Sequence, residues 1–228
     1  MDVTDHFGVA NLLGHPAFEH LASAHQNYTE IRSRGLFDPA PHKWPACLGL
    51  GGSLEILRRK ELKSCIQAVI LFQAMMEKIP YFVPDIGSGL QSIGGDKFRP
   101  NWDNLLSQIS GSSERAEAKK AFNEYHTHFY SAFRNPIIHG QKSSDVQQVN
   151  KIRLPDVYEG MRLGWRAYDY LLTAAFAPEQ IHEPSWNVMC NAHHLPSSLN
   201  TADYPDIDDL GRQFRKKHLE EARKVAST

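Results

Sequence analysis

The stretch SLEILRRKELKSCIQAVILFQAMMEKIP, residues 53–80, decides the fold class of this 228-residue chain. Its apolar residues recur at steps of three and four positions, which is the pattern of a helix with one buried face. Ser53 is a suitable N-cap, and Pro80 is a suitable stop. At ~1.5 Å per residue the predicted helix is about 40 Å long, which is typical of a helix in a bundle.

Two further strong helical patterns follow this stretch. Residues 114–134 carry aromatic side chains in a stripe of alternating four- and three-residue steps. Residues 155–177 carry a second apolar stripe, and Pro155 suits the first turn of a helix. Weaker patterns predict additional helices at residues 11–34, 102–109 and 208–224.

No segment shows the alternation of polar and apolar residues that is typical of a strand. We therefore predict an all-α fold whose central part, residues 51–180, is a helical bundle. Residues 1–50 are expected to form a partly helical N-terminal extension. Residues 181–228 are expected to form a C-terminal loop followed by a charged helix.

The composition excludes several classes of protein. Apolar residues make up 41% of the chain and charged residues 22%, so the chain can form a packed core. The formal net charge is -1, so any contact with nucleic acid must come from a local patch. The N-terminus lacks the basic segment of a secretory signal, and the longest apolar run, AVILF, is far shorter than a membrane span. We expect a cytoplasmic protein without a membrane partner.

Neither a disulfide framework nor a metal site is predicted. The three cysteines, Cys47, Cys65 and Cys190, are widely separated and form no CxxC pair. The loop predicted at residues 181–200 does gather Cys190 with three histidines, but their spacing fits no closed four-ligand zinc site. We predict no metal and no cofactor; the three histidines are His182, His193 and His194.

The stretch FRNPIIHGQ, residues 133–141, carries the candidate chemistry. Pro136 disfavours a helical conformation at Asn135, which is itself a suitable N-cap. We therefore predict that the helix breaks at Asn135 and restarts for one turn that Gly140 ends. Such a break would let Arg134 and His139 point into one pocket, whereas residues five apart on a straight helix point about 140° apart.

These side chains suit cleavage of a phosphodiester. A guanidinium such as that of Arg134 binds a phosphate through two parallel hydrogen bonds. The imidazole of His139 can accept or donate a proton at neutral pH, and Asn135 can bind a phosphate oxygen or orient the imidazole. Attack of a ribose 2′-hydroxyl on its own phosphodiester needs such groups and no metal. Ile137 and Ile138 are predicted to anchor this turn to the core.

The motif R-N-x-x-x-H followed by glycine, at the end of an aromatic-striped helix, resembles the signature of the HEPN superfamily. The resemblance covers residues 53–178 and implies a helical bundle of HEPN type. It also implies a metal-independent endoribonuclease with Arg134, Asn135 and His139 as catalytic residues, in a homodimer whose two motifs form one composite site. An acidic residue from an earlier helix is expected near the motif, and the candidates are Glu55, Glu61 and Glu77.

Family members often act as toxins or in antiviral defence, so the resemblance implies RNA as the substrate and allows a neutralising protein partner. Some members bind a nucleotide without cleaving RNA. A non-catalytic module that binds a nucleotide or a protein is therefore the alternative function.

Four further residues are candidates for contacts with RNA. Arg58, Arg59 and Lys63 form a basic face on the first long helix, which either follows RNA phosphates or is simply solvated. Tyr130 lies one turn before Arg134, where its ring either stacks on a base or packs in the core.

Overall fold

The structure, a computed structural model, describes residues 3–33, 50–85, 89–91, 97–176 and 185–226. Every regular element in these ranges is helical, which confirms the all-α prediction. None of these helices is both long and apolar enough to cross a lipid bilayer. The connector predicted at residues 38–45, together with Cys47, lies outside the described residues.

The described helices are named α1 to α9 in chain order. A π-helical stretch, His126–Arg134, joins α4 to α5 and is called the π segment below. The α-helices are α1 (Val3–Ser33), α2 (Leu50–Asp85), α3 (Phe98–Ser107), α4 (Ser112–Tyr125), α5 (Asn135–His139), α6 (Ser143–Asn150), α7 (Leu154–Ala175), α8 (Trp186–Ala192) and α9 (Ile207–Ala226).

One hydrophobic core holds these helices together. Helix α1 packs along α2, α4 packs along α7, and α2 also contacts α7. The aromatic rings of Phe18 in α1, Phe72 in α2 and Trp165 in α7 are buried against one another. Trp186 of α8 joins them, with its ring centroid 5.1 Å from that of Phe18. Both predicted extensions therefore contribute side chains to the same core as the predicted bundle.

The prediction that the long helix ends at Pro80 is wrong, because α2 continues to Asp85. A proline inside a helix leaves the carbonyl four residues earlier without its usual donor. Here that carbonyl belongs to Met76, and the indole N–H of Trp102 donates to it at 2.9 Å. A side chain of α3 thus supplies the hydrogen bond that Pro80 cannot. Ser53, predicted as the N-cap, lies inside α2.

Two helices lie where the sequence indicated none. Helix α6 follows the motif, and α8 lies within the predicted loop at residues 181–200. Both are short, so neither shows enough turns for a clear apolar period. Helix α8 is held by tertiary packing, because Trp186, Met189 and Cys190 are buried.

Two glycines of α7 allow the close approach that positions the motif-bearing helix. A Cβ atom on Gly160 would lie 2.2 Å from Cδ2 of Phe129 in the π segment. A Cβ atom on Gly164 would lie 2.7 Å from Cε1 of Phe72 and 2.8 Å from Cδ2 of Tyr125. Because no real side chain fits at these distances, α7 requires glycine at 160 to pack against the π segment and at 164 to pack against α2 and α4.

Candidate active site

The chain does not break at Asn135, so that part of the prediction is wrong. Arg134 (φ -61°, ψ -46°) and Asn135 (φ -62°, ψ -48°) both have helical backbone angles. The helix instead widens into the π segment, and the Asn135 N–H donates to the carbonyl of Tyr130, five residues earlier. A wider turn leaves room for the ring of Pro136, which in a regular α-helix clashes with the carbonyl four residues before it.

Arg134 and His139 nevertheless meet. Nη1 of Arg134 lies 2.7 Å from Nε2 of His139 and 3.4 Å from Oδ1 of Asn135. Since a guanidinium has only donors, it donates to both partners, and Nε2 of His139 must be the acceptor. The three motif side chains form one cluster at the surface of the molecule.

Glu77 of α2, which precedes Arg134 by 57 positions in the sequence, also belongs to this cluster. Its Oε1 accepts a hydrogen bond from Nη2 of Arg134 at 3.1 Å. The same oxygen accepts from Nε2 of Gln73 at 3.0 Å, and the oxygen of Gln73 accepts from the hydroxyl of Tyr125 at 2.5 Å. Gln73 and Tyr125 are buried, so this chain of hydrogen bonds ties Arg134 to the core. Burial, with the charge of Glu77 adding to it, raises the pKa of Tyr125 well above its usual value, so its phenol stays a donor.

The other two candidate acids do not reach the motif. The Glu61 side chain is buried and accepts from the hydroxyl of Tyr28 at 3.1 Å and from the backbone N–H of Leu154 at 3.0 Å. Burial raises the pKa of Glu61, and these bonds and the nearby Arg58 oppose that shift. Glu61 therefore links α1, α2 and α7. The side chain of Glu55 lies outside the described ones.

Of the basic residues predicted to share one face of α2, one is buried and two are exposed. Arg58 is buried and donates to Glu61 at 3.2 Å and to the carbonyls of Asn150 and Ile152 at 2.6 and 3.0 Å. Its guanidinium therefore faces inward and is not available to follow RNA phosphates. Arg59 and Lys63 remain exposed.

Lys60 and Lys63 line a polar cleft of about 380 Å³ between α1 and α2, with His20 on its other side. Lys63 lies 14 positions before Glu77 on the same helix, so this cleft is ~20 Å from the motif at 1.5 Å per residue. The remaining basic residues thus form a surface separate from the Arg134 cluster.

Tyr130 belongs to an aromatic cluster beside the motif. Its ring lies nearly parallel to those of Phe98 and His126, at centroid distances of 4.9 and 5.0 Å. The guanidinium carbon of Arg134 lies over the same ring, 5.2 Å from its centroid. Tyr130 therefore packs against α3 and also supports the guanidinium of Arg134 through a cation–π contact.

A cavity of about 360 Å³ opens next to this cluster. Helix α2 contributes Glu77 and Tyr81 to its wall, α3 contributes Phe98, and the π segment contributes Tyr130 and Arg134. The cavity therefore combines aromatic rings with one acidic side chain, that of Glu77, and two basic side chains, those of Lys78 and Arg134.

Ile137 of the motif meets expectation, whereas Ile138 and Gly140 differ from it. Ile137 packs against the core, but Ile138 is 47% exposed and anchors nothing within this chain. Gly140 has φ -58°, so it is not required for a left-handed turn. It is required for space, because a Cβ atom there would lie 2.2 Å from the carbonyl oxygen of Pro136.

The residues considered for zinc do not converge. Cys190 is buried with its Sγ 3.8 Å from the hydroxyl of Tyr158, and burial raises the pKa of its thiol to about 11. His194 is exposed, and His182 lies outside the described residues. Within the described ranges, no group of three or more His, Cys, Asp or Glu side chains could hold a metal ion.

His193 instead pairs with His15 of α1. Nε2 of His193 lies 2.9 Å from Nδ1 of His15. Burial lowers the pKa of His193, and the neighbouring His15 and His194 lower it further, while Glu19 raises it. This pair joins the two ends of the described chain.

Sequence reasoning missed Gln73, Tyr81 and Phe98 as parts of the site. Gln73 offered one signal, because it interrupts an apolar helix four residues before Glu77 and so lies on the same helix face. Tyr81 lies beyond the predicted end of that helix, and Phe98 lies within a segment predicted to be irregular. Their positions beside Arg134 depend on how α2 and α3 pack.

No model of a known protein family matches the chain, and no curated protein or solved structure is significantly similar to it.

Proposed function

We propose that this protein is a metal-independent endoribonuclease of HEPN type that cleaves RNA through attack of a ribose 2′-hydroxyl. The observation that supports this most is the contact of 2.7 Å between Arg134 and His139, with Asn135 beside it. These three residues match the HEPN signature, and their side chains meet at an accessible surface. A role as a toxin or as an effector of antiviral defence, with a neutralising protein partner, belongs to the same proposal.

In this mechanism Arg134 binds the scissile phosphate and stabilises its transition-state charge. Nε2 of His139 accepts the proton of the 2′-hydroxyl, the 2′-oxygen bonds to phosphorus, and the bond from phosphorus to the 5′-oxygen breaks. The 5′-oxygen leaves with a proton from an acid, so the products are a 2′,3′-cyclic phosphate and a 5′-hydroxyl. Glu77 positions Arg134 by holding Nη2. When substrate binds, Nη1 exchanges its contacts with His139 and Asn135 for phosphate oxygens, which also frees Nε2 of His139 to act as the base.

A second copy of the chain is part of this proposal. The attacking and the leaving oxygen lie on opposite sides of phosphorus, so one imidazole does not reach both. His139 of the partner subunit would supply the second proton-transfer group. Helices α5 and α6 contain no fully buried residue, and they expose Ile138 and Val146, which supports a subunit contact at this end of the molecule.

The test is cleavage of single-stranded RNA by the wild type and by the His139→Ala and Arg134→Ala variants, purified identically. We expect wild-type cleavage to persist in EDTA. We expect kcat/KM to fall by about 10²–10⁴-fold for His139→Ala and about 10²–10³-fold for Arg134→Ala. A substrate with 2′-deoxyribose at the scissile position should not be cut.

His128→Ala is the matched control, because His128 is exposed on the same helix and should leave activity unchanged. If the His139→Ala protein cleaves RNA as fast as the wild type, the mechanism is wrong. Intact RNA together with saturable binding of a nucleotide or protein would favour the non-catalytic alternative.

A further inference from the structure

The cavity beside Arg134 has the features of a site for a flat aromatic ligand. Its volume of about 360 Å³ lies within the range of small-molecule pockets, ~300–1,000 Å³. Tyr81, Phe98 and Tyr130 give it aromatic walls. Aromatic side chains bind nucleobases by stacking, and such stacking accepts every base because each has a π-face. The aromatic rings alone would therefore hold a base without selecting one.

The carboxylate of Glu77 can select among the ligands that the aromatic rings would hold. Oε1 of Glu77 already accepts hydrogen bonds from Arg134 and Gln73. Each carboxylate oxygen accepts about two hydrogen bonds, so Oε1 is saturated and Oε2 keeps its acceptor capacity. Glu77 lines the cavity and its side chain is 37% exposed, so this carboxylate can accept a hydrogen bond from a ligand there. A ligand that presents an N–H donor to Oε2 would be preferred.

The bases of RNA differ in how well they meet this requirement. Adenine, cytosine and guanine carry an exocyclic amino group, which donates to a carboxylate. Uracil has one N–H on its pairing edge, and the carbonyl oxygens on both sides of that N–H would repel a carboxylate. Glu77 therefore favours an amino-bearing base over uracil.

Arg134 connects this cavity to the proposed chemistry. Its guanidinium lines the cavity and also contacts His139 at 2.7 Å. A phosphate bound to Arg134 would place the base of an adjoining nucleotide at the cavity mouth. We propose that the cavity between α2, α3 and the π segment binds the base next to the scissile phosphate and selects amino-bearing bases through Oε2 of Glu77. This inference rests on the proposed ribonuclease function for the position of the phosphate.

The first experiment measures equilibrium binding of AMP, CMP, GMP, UMP and ribose 5-phosphate to the His139→Ala protein, which needs no cleavage. We expect each amino-bearing nucleotide to bind at least about tenfold more tightly than UMP, and ribose 5-phosphate to bind more weakly still. Equal affinity for all five compounds, or no binding of any, would overturn the proposal.

The second experiment uses Glu77→Gln. The donors of Arg134 and Gln73 should hold the amide oxygen, so the amide NH₂ would replace Oε2 and point into the cavity. A donor there suits the carbonyl oxygens of uracil, and the affinity ratio of CMP to UMP should therefore fall at least tenfold. The ratio is informative even if Arg134 moves, because that loss affects both nucleotides. An unchanged ratio would show that Glu77 does not read the base.

The third experiment compares Tyr130→Leu with Tyr170→Leu. Tyr170 of α7 also lies under an arginine, with the guanidinium carbon of Arg166 5.6 Å from its ring centroid, but it does not line the cavity. Tyr130→Leu should weaken binding of every nucleotide about tenfold, whereas Tyr170→Leu should not change it. Equal effects of the two substitutions would overturn the proposed stacking.

These measurements separate the two proposals. Selective nucleotide binding without RNA cleavage would support the base site and contradict the proposed function. RNA cleavage without a preference among bases, together with unselective nucleotide binding, would support the proposed function and contradict the base site.

Discussion

At the scale of single residues, the site depends on polar groups placed where burial changes their behaviour. Gln73 is 2% exposed, yet it accepts a hydrogen bond from Tyr125 and donates one to Glu77, so neither Gln73 nor Tyr125 lacks a partner. A buried polar chain that is fully hydrogen-bonded holds its members in one arrangement. The core thus helps to orient Arg134, whose side chain also contacts His139 at the surface.

Asp169 of α7 differs from Gln73, because no ion pair with another described residue offsets the burial of its carboxyl. Burial raises the pKa of its carboxyl from 3.8 to about 7. The indole N–H of Trp165 lies close enough to lower the pKa slightly, but it forms no hydrogen bond of good geometry. The folded state therefore favours the neutral carboxyl.

This shift predicts the pH dependence of stability. The unfolded chain releases the Asp169 proton near pH 3.8 and the folded chain near pH 7, so the free energy of unfolding falls as pH rises through this window. Asp169→Asn, which is neutral throughout, should be more stable than the wild type by on the order of 2 kcal/mol at pH 8 and by less at pH 5. Urea unfolding at both pH values measures this difference.

Asp103→Asn is the control, because Asp103 is half exposed beside Arg99 and its loss should cost little at either pH. A stability gain of Asp169→Asn that is equal at pH 5 and pH 8 would show that the Asp169 carboxyl is not the titrating group.

At the scale of elements, the π segment and α7 form a contact that glycine makes possible. Phe129 of the π segment occupies the space above Gly160, and both are far inside the core. The motif begins five residues after Phe129. The contact between Phe129 and Gly160 therefore helps to fix the position of the motif.

Gly160→Ala tests this contact. The added methyl group would lie 2.2 Å from the Phe129 ring, so Phe129 or the backbone must move, and overpacking of this kind costs about 1–3 kcal/mol. We expect that loss in the free energy of unfolding by urea, together with reduced RNA cleavage. Gly211→Ala in α9 is the matched control.

A Cβ atom at Gly211 meets nothing closer than 3.7 Å, so alanine there should be neutral or stabilise α9 by up to about 1 kcal/mol. If Gly160→Ala were as stable as Gly211→Ala, the close packing of α7 on the π segment would not exist in solution.

At the scale of the whole molecule, the motif lies at an end that is poorly covered by its own chain. Helices α1 and α8 share the central core, and His15 meets His193. Helices α5 and α6 contain no fully buried residue, and they expose Ile138 and Val146 beside the motif. A second copy of the chain placed there would cover these side chains and bring two motifs together.

The corresponding prediction concerns Val146 of α6, which is 60% exposed. We expect the wild type to be a dimer in sedimentation equilibrium. Val146→Glu should raise its dissociation constant at least about tenfold, because a buried charge in an apolar contact costs more than ~1.4 kcal/mol. RNA cleavage should fall in parallel.

Val188→Glu serves as the comparison, since Val188 is 53% exposed on α8 and lies away from the motif. It should leave the dimer intact. A wild type that stays monomeric at all concentrations would contradict the shared site.

The features that could be predicted without the structure are those set by residues close together along the chain. The period of residues 53–80 was sufficient for the helical class, because amphipathic spacing is a local property. Arg134, Asn135 and His139 could be grouped for the same reason, since they lie within six positions. The sequence also limited the acidic partner to a few candidates without choosing among them.

The contacts between side chains from different helices, and the burial of those side chains, became known only from the packing of the helices. Glu77 joins Arg134 across 57 positions, Trp102 supplies the donor that lets α2 pass Pro80, and Arg58 turns inward to Glu61. Each of these contacts follows from the packing of helices against one another. No local sequence pattern predicts these contacts. The free energy of each contact depends on residues distant in sequence and on the extent to which their packing excludes water.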